Sequence, residues 1–592
     1  MNSHEFEDET LGKAYDWRLV RRFLTYLRPY RGWVALTFVL IGVAAGLELA
    51  TPLILRDAVD DVAAGFQRVP LEIWAAAFLG VILLRSVFQI LYVWLTHTTG
   101  QSVIRDLRVR LFRHLLRLPV SFFDRNPTGR LLVRVTNDVE NLNELFASGI
   151  VEMLADVVIF AGALAILFYL HTPLTLAILC GLPLVIGVLG AFRVLARRKY
   201  REIRRKIAKL NAYLAECIQG MRVVKVFARQ RYCRDKFGAL NEDLCAETIG
   251  NVLLHSIIMP AMELIGALIT AIILWYGGMR IFEGTLTFGT FVAFWYFARR
   301  LIEPLRDLSE KYNILQAAMA SSERIFKILD EAPESSLIAA GPRARTPGAI
   351  EFRDVSFSYD GVTPVLRNVS FSVPPGGHVA LVGATGSGKT TLVNLMLGFY
   401  PATSGQIFVD GRDVRDYDPL ELRRRFGIVG QDLFLFTGSI EENIRLGDRS
   451  IPFEEVLAAA RAVSLHRFVE RFPKGFGTDV RERGLTLSAG ERQLISLARA
   501  FCVDSGIILL DEATSYVDMH TDALVQEAAE RLLKGRTAVV VAHRLATIRN
   551  MDRILVIHRG RIVEDGSHRT LRDQGGIYSR LCRIQFESAV SQ

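Results

Sequence analysis

From Trp33 onward the chain alternates long apolar stretches with polar stretches of helical character, and after about residue 350 it changes to short apolar runs separated by turn residues. A helix that crosses a bilayer needs about 20 mostly apolar residues. Six stretches meet that measure, at roughly 33–55, 72–96, 148–170, 173–195, 252–278 and 285–302. Only His171 and Thr172 separate the third from Pro173 at the start of the fourth, which predicts a tight hairpin. Between spans two and three, and again between four and five, lie polar segments (97–147 and 196–251) rich in Arg and Lys, including RRKYREIRRK at 197–206. The loops of opposite sidedness, 56–71 and 279–284, are poorer in basic residues. Basic residues accumulate on the cytoplasmic side of membrane chains, so the long loops, the N-terminus and everything after the last span are expected there. The segment YDWRLVRRFLTYLRPYR (15–31) mixes arginine with aromatic and aliphatic residues at helical spacing, as a helix lying in the membrane interface does. The first residues are acidic and polar, and no cleavable signal peptide is expected.

The later part of the chain carries chemistry. The apolar run HVALV (378–382) leads into GATGSGKT (383–390) and then into TLVNLML, a strand–loop–helix order that suits a phosphate-binding loop. Backbone amides from Gly383, Ala384, Thr385, Gly386, Ser387 and Gly388, continuing to Thr391, would cradle phosphates; Lys389 would reach the β- and γ-phosphates, and the Thr390 hydroxyl would ligate Mg²⁺. Farther on, IILLDE ends an apolar run in Asp511 and Glu512. Two adjacent acids at the end of a buried strand are costly unless a cation lies nearby. Asp511 is therefore a candidate for the metal, and Glu512 for the base that polarises the attacking water. The cofactors this constellation calls for are ATP and Mg²⁺.

From about Ile350 to about Ser588 the chain resembles the nucleotide-binding domain of an ABC transporter, because every element of that family occurs in its order. Tyr359 in FSYDG resembles the aromatic that stacks on adenine, and Gln431 in IVGQD resembles the Q-loop glutamine that senses Mg²⁺ and contacts the membrane domain. Thr478–Gly484 resembles the X-loop, Ser488 and Gly490 stand in the signature position, Asp518 in the D-loop, and His543 matches the switch histidine expected at the γ-phosphate. With the spans in front, nearly the whole chain resembles a type IV ABC exporter half. That resemblance implies a multi-domain fold: an all-α six-helix transmembrane domain (1–332, elbow helix 15–31), a linker (333–349) and an α/β P-loop ABC ATPase domain with a helical subdomain (350–592). It further implies coupling helices at 119–131 and near 230–238, docking on a groove that includes the Gln431 loop. The membrane implied is the inner, or plasma, membrane of a prokaryote.

Composition sharpens this picture without redirecting it. The chain has 592 residues, 51% of them hydrophobic, and a net charge of +9. The basic residues cluster beside the spans, so membrane sidedness and anionic lipid explain them and a nucleic-acid partner is not expected. Six cysteines show no CxxC pair and no histidines at metal spacing, and read as reduced thiols. Glu48, Arg85, Asp156 and Glu263 fall in or near apolar runs, where an ionisable residue either lines a substrate path or pairs for structure. Pro52 and Pro260 are candidate kinks.

Three motifs depart from the resembled family: the D-loop Ser515-Tyr516-Val517-Asp518 lacks the usual small-apolar middle, Arg481 is unusual in the X-loop, and the signature is altered. The signature reads Leu487-Ser488-Ala489-Gly490-Glu491, where the family has LSGGQ. A methyl at Ala489 and a charge at Glu491 are expected to weaken engagement of phosphate. An intact set of Lys389, Gln431, Asp511, Glu512 and His543 beside an altered signature resembles one subunit of a heterodimeric exporter, with one competent and one degenerate ATP site. The expected partners are a second half-transporter, the lipid bilayer and a hydrophobic or amphipathic substrate (drug, lipid or peptide). The alternatives are a homodimeric exporter, and a membrane ATPase that regulates a neighbouring protein.

Overall fold

The computed structural model describes residues 17–63, 65, 69–334, 346–431, 433–481, 484, 486–511, 519–542 and 545–590. They fall into two units: one runs to Leu115 and resumes over Thr128–Glu331, and the other combines Leu116–Pro127 with the chain after Ala332.

The first unit is helical. Its opening helix, Trp17–Leu27, buries Phe23 and Leu27 and leaves Trp17 and Leu24 exposed, the two-faced arrangement its sequence predicts. Arg22 on this helix holds both carboxylate oxygens of Asp330 at 2.7 and 2.6 Å, and its guanidinium lies 4.3 Å from the Phe326 ring centroid. Long helices follow at Arg31–Ala63, Leu71–Leu115, Val151–Leu179, Leu182–Gln219, Gln230–Ile272 and Phe288–Asp330. At about 1.5 Å per residue, the 45 residues of Leu71–Leu115 extend roughly 68 Å, more than twice a hydrocarbon core of about 30 Å. A span and the polar segment after it are thus one continuous helix.

Among the described residues, four helical stretches are long and apolar enough to cross a membrane: Trp17–Ala63, Leu71–Leu115, Val151–Gln219 and Gln230–Phe282. The third contains two expected spans. Its backbone leaves helical geometry at His171 (φ −161°, ψ 96°), and the Thr175 hydroxyl donates to the Leu167 carbonyl at 2.8 Å. Residues eight apart in an unbroken helix would be about 12 Å apart, so the chain doubles back there. His171 Nδ1 accepts from the Leu174 amide at 3.2 Å, satisfying a donor that Pro173 and the broken helix leave open. The sixth expected span lies on Phe288–Asp330, whose apolar stretch is shorter, Phe288–Ala298, because Arg299 and Arg300 interrupt it. Pro52 and Pro260 lie inside helices.

One expectation is corrected. The short helix at the tip of the second long loop is Met221–Val226, not 230–238, which forms the first turns of the long helix Gln230–Ile272. Gly220 and a left-handed Ala228 (φ 50°) bound the tip and isolate it from its neighbours.

In the second unit, twelve strands build three sheets among the described residues. Ile350–Phe357 (β1), Leu366–Val373 (β2), Ser404–Val409 (β4) and Arg412–Asp413 (β5) form an antiparallel sheet of order β2-β1-β4-β5. His378–Val382 (β3), Phe426–Val429 (β6), Ile507–Asp511 (β9), Thr537–Val541 (β10), Arg553–His558 (β11) and Arg561–Gly566 (β12) form the other large sheet, in order β12-β11-β3-β10-β9-β6. Gly438–Ser439 (β7) and Asp479–Val480 (β8) make a short ribbon. In the six-stranded sheet β6, β9, β10, β3 and β11 are parallel and only β12 runs against them. Strands such as β10, TAVVV, are buried at every position, as parallel strands covered on both faces must be.

Candidate nucleotide site

Parallel strands deliver their C-terminal ends to one edge, and ligands of open α/β sheets bind beyond that edge. Here β3 runs into the loop 383–388, β6 runs toward Gln431, and β9 ends on Asp511. The strand between the loop strand and β9 is β10, with Val541 in register with Leu381 on one side and Asp511 on the other. Residues from Gly383 to Asp511 thereby meet along one edge. His543 follows β10 by two residues; it, Glu512 and Asp518 lie outside the described residues.

The loop geometry explains its glycines. Gly388 caps the helix Lys389–Met396 in left-handed conformation (φ 106°), and a Cβ there would lie 2.7 Å from Leu366 Cδ2. At Gly383 a Cβ would lie 2.2 Å from the Ile557 carbonyl oxygen, closer than any side chain tolerates. Lys389 is 6% exposed, and its Nζ donates back to the carbonyls of Gly383 and Ala384 at 2.8 and 3.0 Å. Burial holds its ammonium below the usual lysine range, while the charge of Asp511 opposes that shift. Ser387 Oγ is buried with no hydrogen-bond partner among the described residues. A buried cation satisfied only by its own loop and an orphaned hydroxyl beside it are the features of an anion cradle, so the residues fit a nucleotide phosphate chain. Ala384, Thr385, Gly386 and Thr390 are exposed around it, leaving the Thr390 hydroxyl accessible to a metal.

Tyr359 stands beside the loop. It is 45% exposed and packs edge-on against Phe357 (4.7 Å) and Tyr400 (5.0 Å), with its hydroxyl donating to Thr391 Oγ1 at 3.2 Å. Thr391, buried, thus orients the tyrosine. The turn holding Tyr359 is pinned by Asp360, whose carboxylate accepts from the Val362 and Thr363 amides and the Ser358 hydroxyl, contacts that hold it well below the usual range.

Tyr400 carries a link that sequence reasoning missed. Its hydroxyl donates to Asp124, on the short helix Val120–Arg125 from the first long loop, and burial with that bond pushes the phenol above its usual range. The loop tip Leu116–Pro127 is packed within the same unit as the phosphate loop, where Asp124 meets Tyr400, the ring neighbour of Tyr359; Gln431, which the resemblance placed in the docking groove, is exposed. Nothing in the sequence marks a partner 276 positions away.

The signature segment is the second surprise. Ser488 caps the helix Ala489–Val503: its hydroxyl accepts from the Glu491 amide at 3.2 Å, and the Glu491 carboxylate accepts from the Ser488 amide at 2.8 Å. That is a reciprocal capping box. Glu491 is therefore turned onto its own helix terminus, whose dipole favours a carboxylate. Ser488 is exposed, Ala489 half-buried and Gly490 buried. Arg499, eight residues on, donates to the Asn443 carbonyl (2.6 Å), the Asn443 side chain (2.9 Å) and the Phe434 carbonyl (2.8 Å), tying this helix to the segment after Gln431. An arginine inside the otherwise apolar run LISLARAFC was the available signal.

Comparison with known proteins settles the family. Residues 34–305 match the ABC transporter transmembrane region and residues 366–515 the ABC transporter family. The uncharacterized ABC transporter ATP-binding protein YknV of Bacillus subtilis (strain 168) is 40% identical over 98% of this chain and 97% of its own length. This chain is an ABC transporter. The ATP-dependent lipid A-core flippase of Syntrophus aciditrophicus (strain SB) is 36% identical to the transporter, over 96% of this chain and 95% of its own. A solved bacterial Atm1-family ABC exporter with ATP bound superposes with a TM-score of 0.76 at 26% identity, covering 94% and 98% of the two chains. The transporter thus joins a helical membrane region and an ATPase domain in one polypeptide close to exporters of these types, and ATP binding by its ATPase domain follows from the family.

Proposed function

We propose that the transporter uses ATP binding and hydrolysis to drive a hydrophobic or amphipathic substrate out across the inner membrane by alternating access, with its ATPase domain in the cytoplasm. The convergence of the loop 383–388, Asp511 and Gln431 at adjacent ends of one parallel sheet carries this reading. In it, Lys389 and the loop amides bind phosphate, Thr390, Asp511 and Gln431 hold Mg²⁺, Glu512 takes the proton of the attacking water, and His543 steadies the γ-phosphate. Mg²⁺ supplies charge neutralisation at the transferring phosphoryl group. ATP favours the closed state only by its differential affinity for that state, so each ligated residue acts by binding better there.

Two chains are needed, because Ser488 and Gly490 complete a site by facing the phosphate loop of a partner. Asp518 belongs to that same seam. The capping box supports a second copy of this chain as the partner: Glu491 is occupied with its own helix, and Ser488 is exposed for phosphate. The methyl of Ala489 supports a different half with a standard signature. Mg-dependent ATPase activity of the chain alone in nanodiscs distinguishes the two. Robust turnover, lost in Glu512→Gln, supports the homodimer; turnover only after adding a second half-transporter supports the heterodimer; none in either case sinks the hydrolytic reading.

A further inference from the structure

Ionisable side chains within membrane spans are costly unless paired or facing an aqueous path. Most of those in this transporter are paired. Glu48, 8% exposed, sits between Arg85 at 3.6 Å and Arg300, and Asp156 holds Lys311, which also lies 3.8 Å from Glu152. Glu263 differs. It lies near the middle of the apolar stretch within Gln230–Phe282, is exposed, and has no hydrogen-bond or ion-pair partner among the described residues.

The helix Gln230–Ile272 separates its faces cleanly at 3.6 residues per turn. Ile265 and Ile269 are buried against the neighbouring helices. Leu253, Ile257, Leu264 and Leu268 form an exposed aliphatic stripe, the composition lipid tails favour. Glu263 belongs to a third stripe, on which Ser256, Pro260, Ala267 and Thr270 within two turns of it are small or polar and the aliphatic Val252 and Ile249 stand farther toward the start of the helix. The hydroxyls of Ser256 and Thr270 are turned onto the carbonyls of Val252 and Gly266, so they leave the carboxylate as the open acceptor of this face. Among the described residues of the membrane unit, Arg85 and Arg300 share the Glu48 carboxylate and Lys311 holds Asp156, so these cations are already engaged with acids other than Glu263.

We propose that Glu263 is a specificity-determining residue of the transport path, supplying the counter-charge for cationic amphiphiles. The inference rests on the exporter reading above and names its substrate class: a cation with apolar arms. The carboxylate supplies the Coulombic attraction, which is large where water is scarce. The small residues around it leave room for the apolar arms.

The test uses the full chain in lipid nanodiscs, with tetraphenylphosphonium as the cation and tetraphenylborate as an anion of the same shape, each titrated against ATPase activity. Tetraphenylphosphonium is expected to alter the wild-type rate saturably and tetraphenylborate not to. Glu263→Gln is expected to raise the half-maximal phosphonium concentration at least about tenfold, or ~1.4 kcal/mol. Glu263→Asp should retain the response, and Glu263→Lys should transfer it to the borate. An unshifted phosphonium curve in Glu263→Gln, or equal action of both ions on the wild type, overturns the inference. So does a wild type that hydrolyses ATP, in a manner lost in Lys389→Ala, yet ignores the phosphonium; this would point to a partner side chain on Glu263 and leave the exporter reading intact. Absence of any Lys389-dependent hydrolysis, both with the chain alone and after a second half-transporter is added, overturns the exporter reading and this inference with it.

Discussion

The ATPase unit and the membrane unit are specified by different kinds of information. In the ATPase unit, function sits in short motifs at strand ends, where each residue has one chemical task and little freedom of place. In the membrane unit, the sequence is constrained chiefly to be apolar over about 20 residues at a time, and many residues meet that demand equally well. Lys389 and Glu263 illustrate the difference. The first is a buried cation whose neighbours are its own loop carbonyls, fixed by a strand–loop–helix geometry. The second is a carboxylate whose meaning depends on which face of a 43-residue helix it occupies. Motif identity suffices for one; helical phase and the pairing of every other charge are needed for the other.

Perturbations sharpen this contrast, from the most severe downward. Lys389→Ala should lower ATP turnover by two orders of magnitude or more, about 3 kcal/mol in transition-state stabilisation, without loss of the folded chain. Phosphate-release kinetics beside a thermal melt check it, and near-normal turnover would remove Lys389 from the site. Arg499→Ala should destabilise the ATPase unit by about 1–3 kcal/mol, since it strands the acceptors of the buried Asn443. Denaturant unfolding of the full chain measures this, and a shift under about 0.5 kcal/mol would show the tie to be dispensable. Glu491→Ala should cost about 1 kcal/mol as a lost helix cap. If Glu491 instead hinders phosphate, the same variant will raise ATPase activity, and the altered signature will count as degenerate after all.

The smallest effect is expected at the seam between loop tip and nucleotide side. Tyr400→Phe keeps the ring that packs on Tyr359 and removes only the hydrogen bond to Asp124. Hydrolysis should stay within about twofold, while substrate stimulation of hydrolysis drops by several-fold, the cost of one hydrogen bond of about 1 kcal/mol. Parallel loss of both would assign Tyr400 to the nucleotide pocket itself rather than to communication with the loop.

Much of this was legible in the chain because it rests on local rules. Strand–loop–helix order marked the loop that follows β3, hydropathy marked helices long and apolar enough to cross a membrane, and Pro173 after His171-Thr172 marked the turn that the Thr175 to Leu167 hydrogen bond closes. Errors arose where two local rules competed. At the second loop tip the helical pattern continues through both Met221–Val226 and 230–238, and Gly220 and the left-handed Ala228 are what set the first apart as the tip. Glu491 illustrates the same limit. A charge next to a phosphate site and a charge in a capping box have the same letter in sequence, and only the side-chain direction separates them.

The sequence by itself determined the class of machine, the order of its parts and the residues we propose for the nucleotide, because phosphate binding demands backbone and side-chain groups that few patterns supply. Tertiary structure alone decided which charges neutralise one another, that Asp124 reaches Tyr400, that Arg499 clasps the segment after Gln431, and that Glu263 stands apart on its helix. Those facts depend on contacts between residues tens to hundreds of positions apart, and such contacts are set by how helices and strands pack, not by the pattern of any one of them.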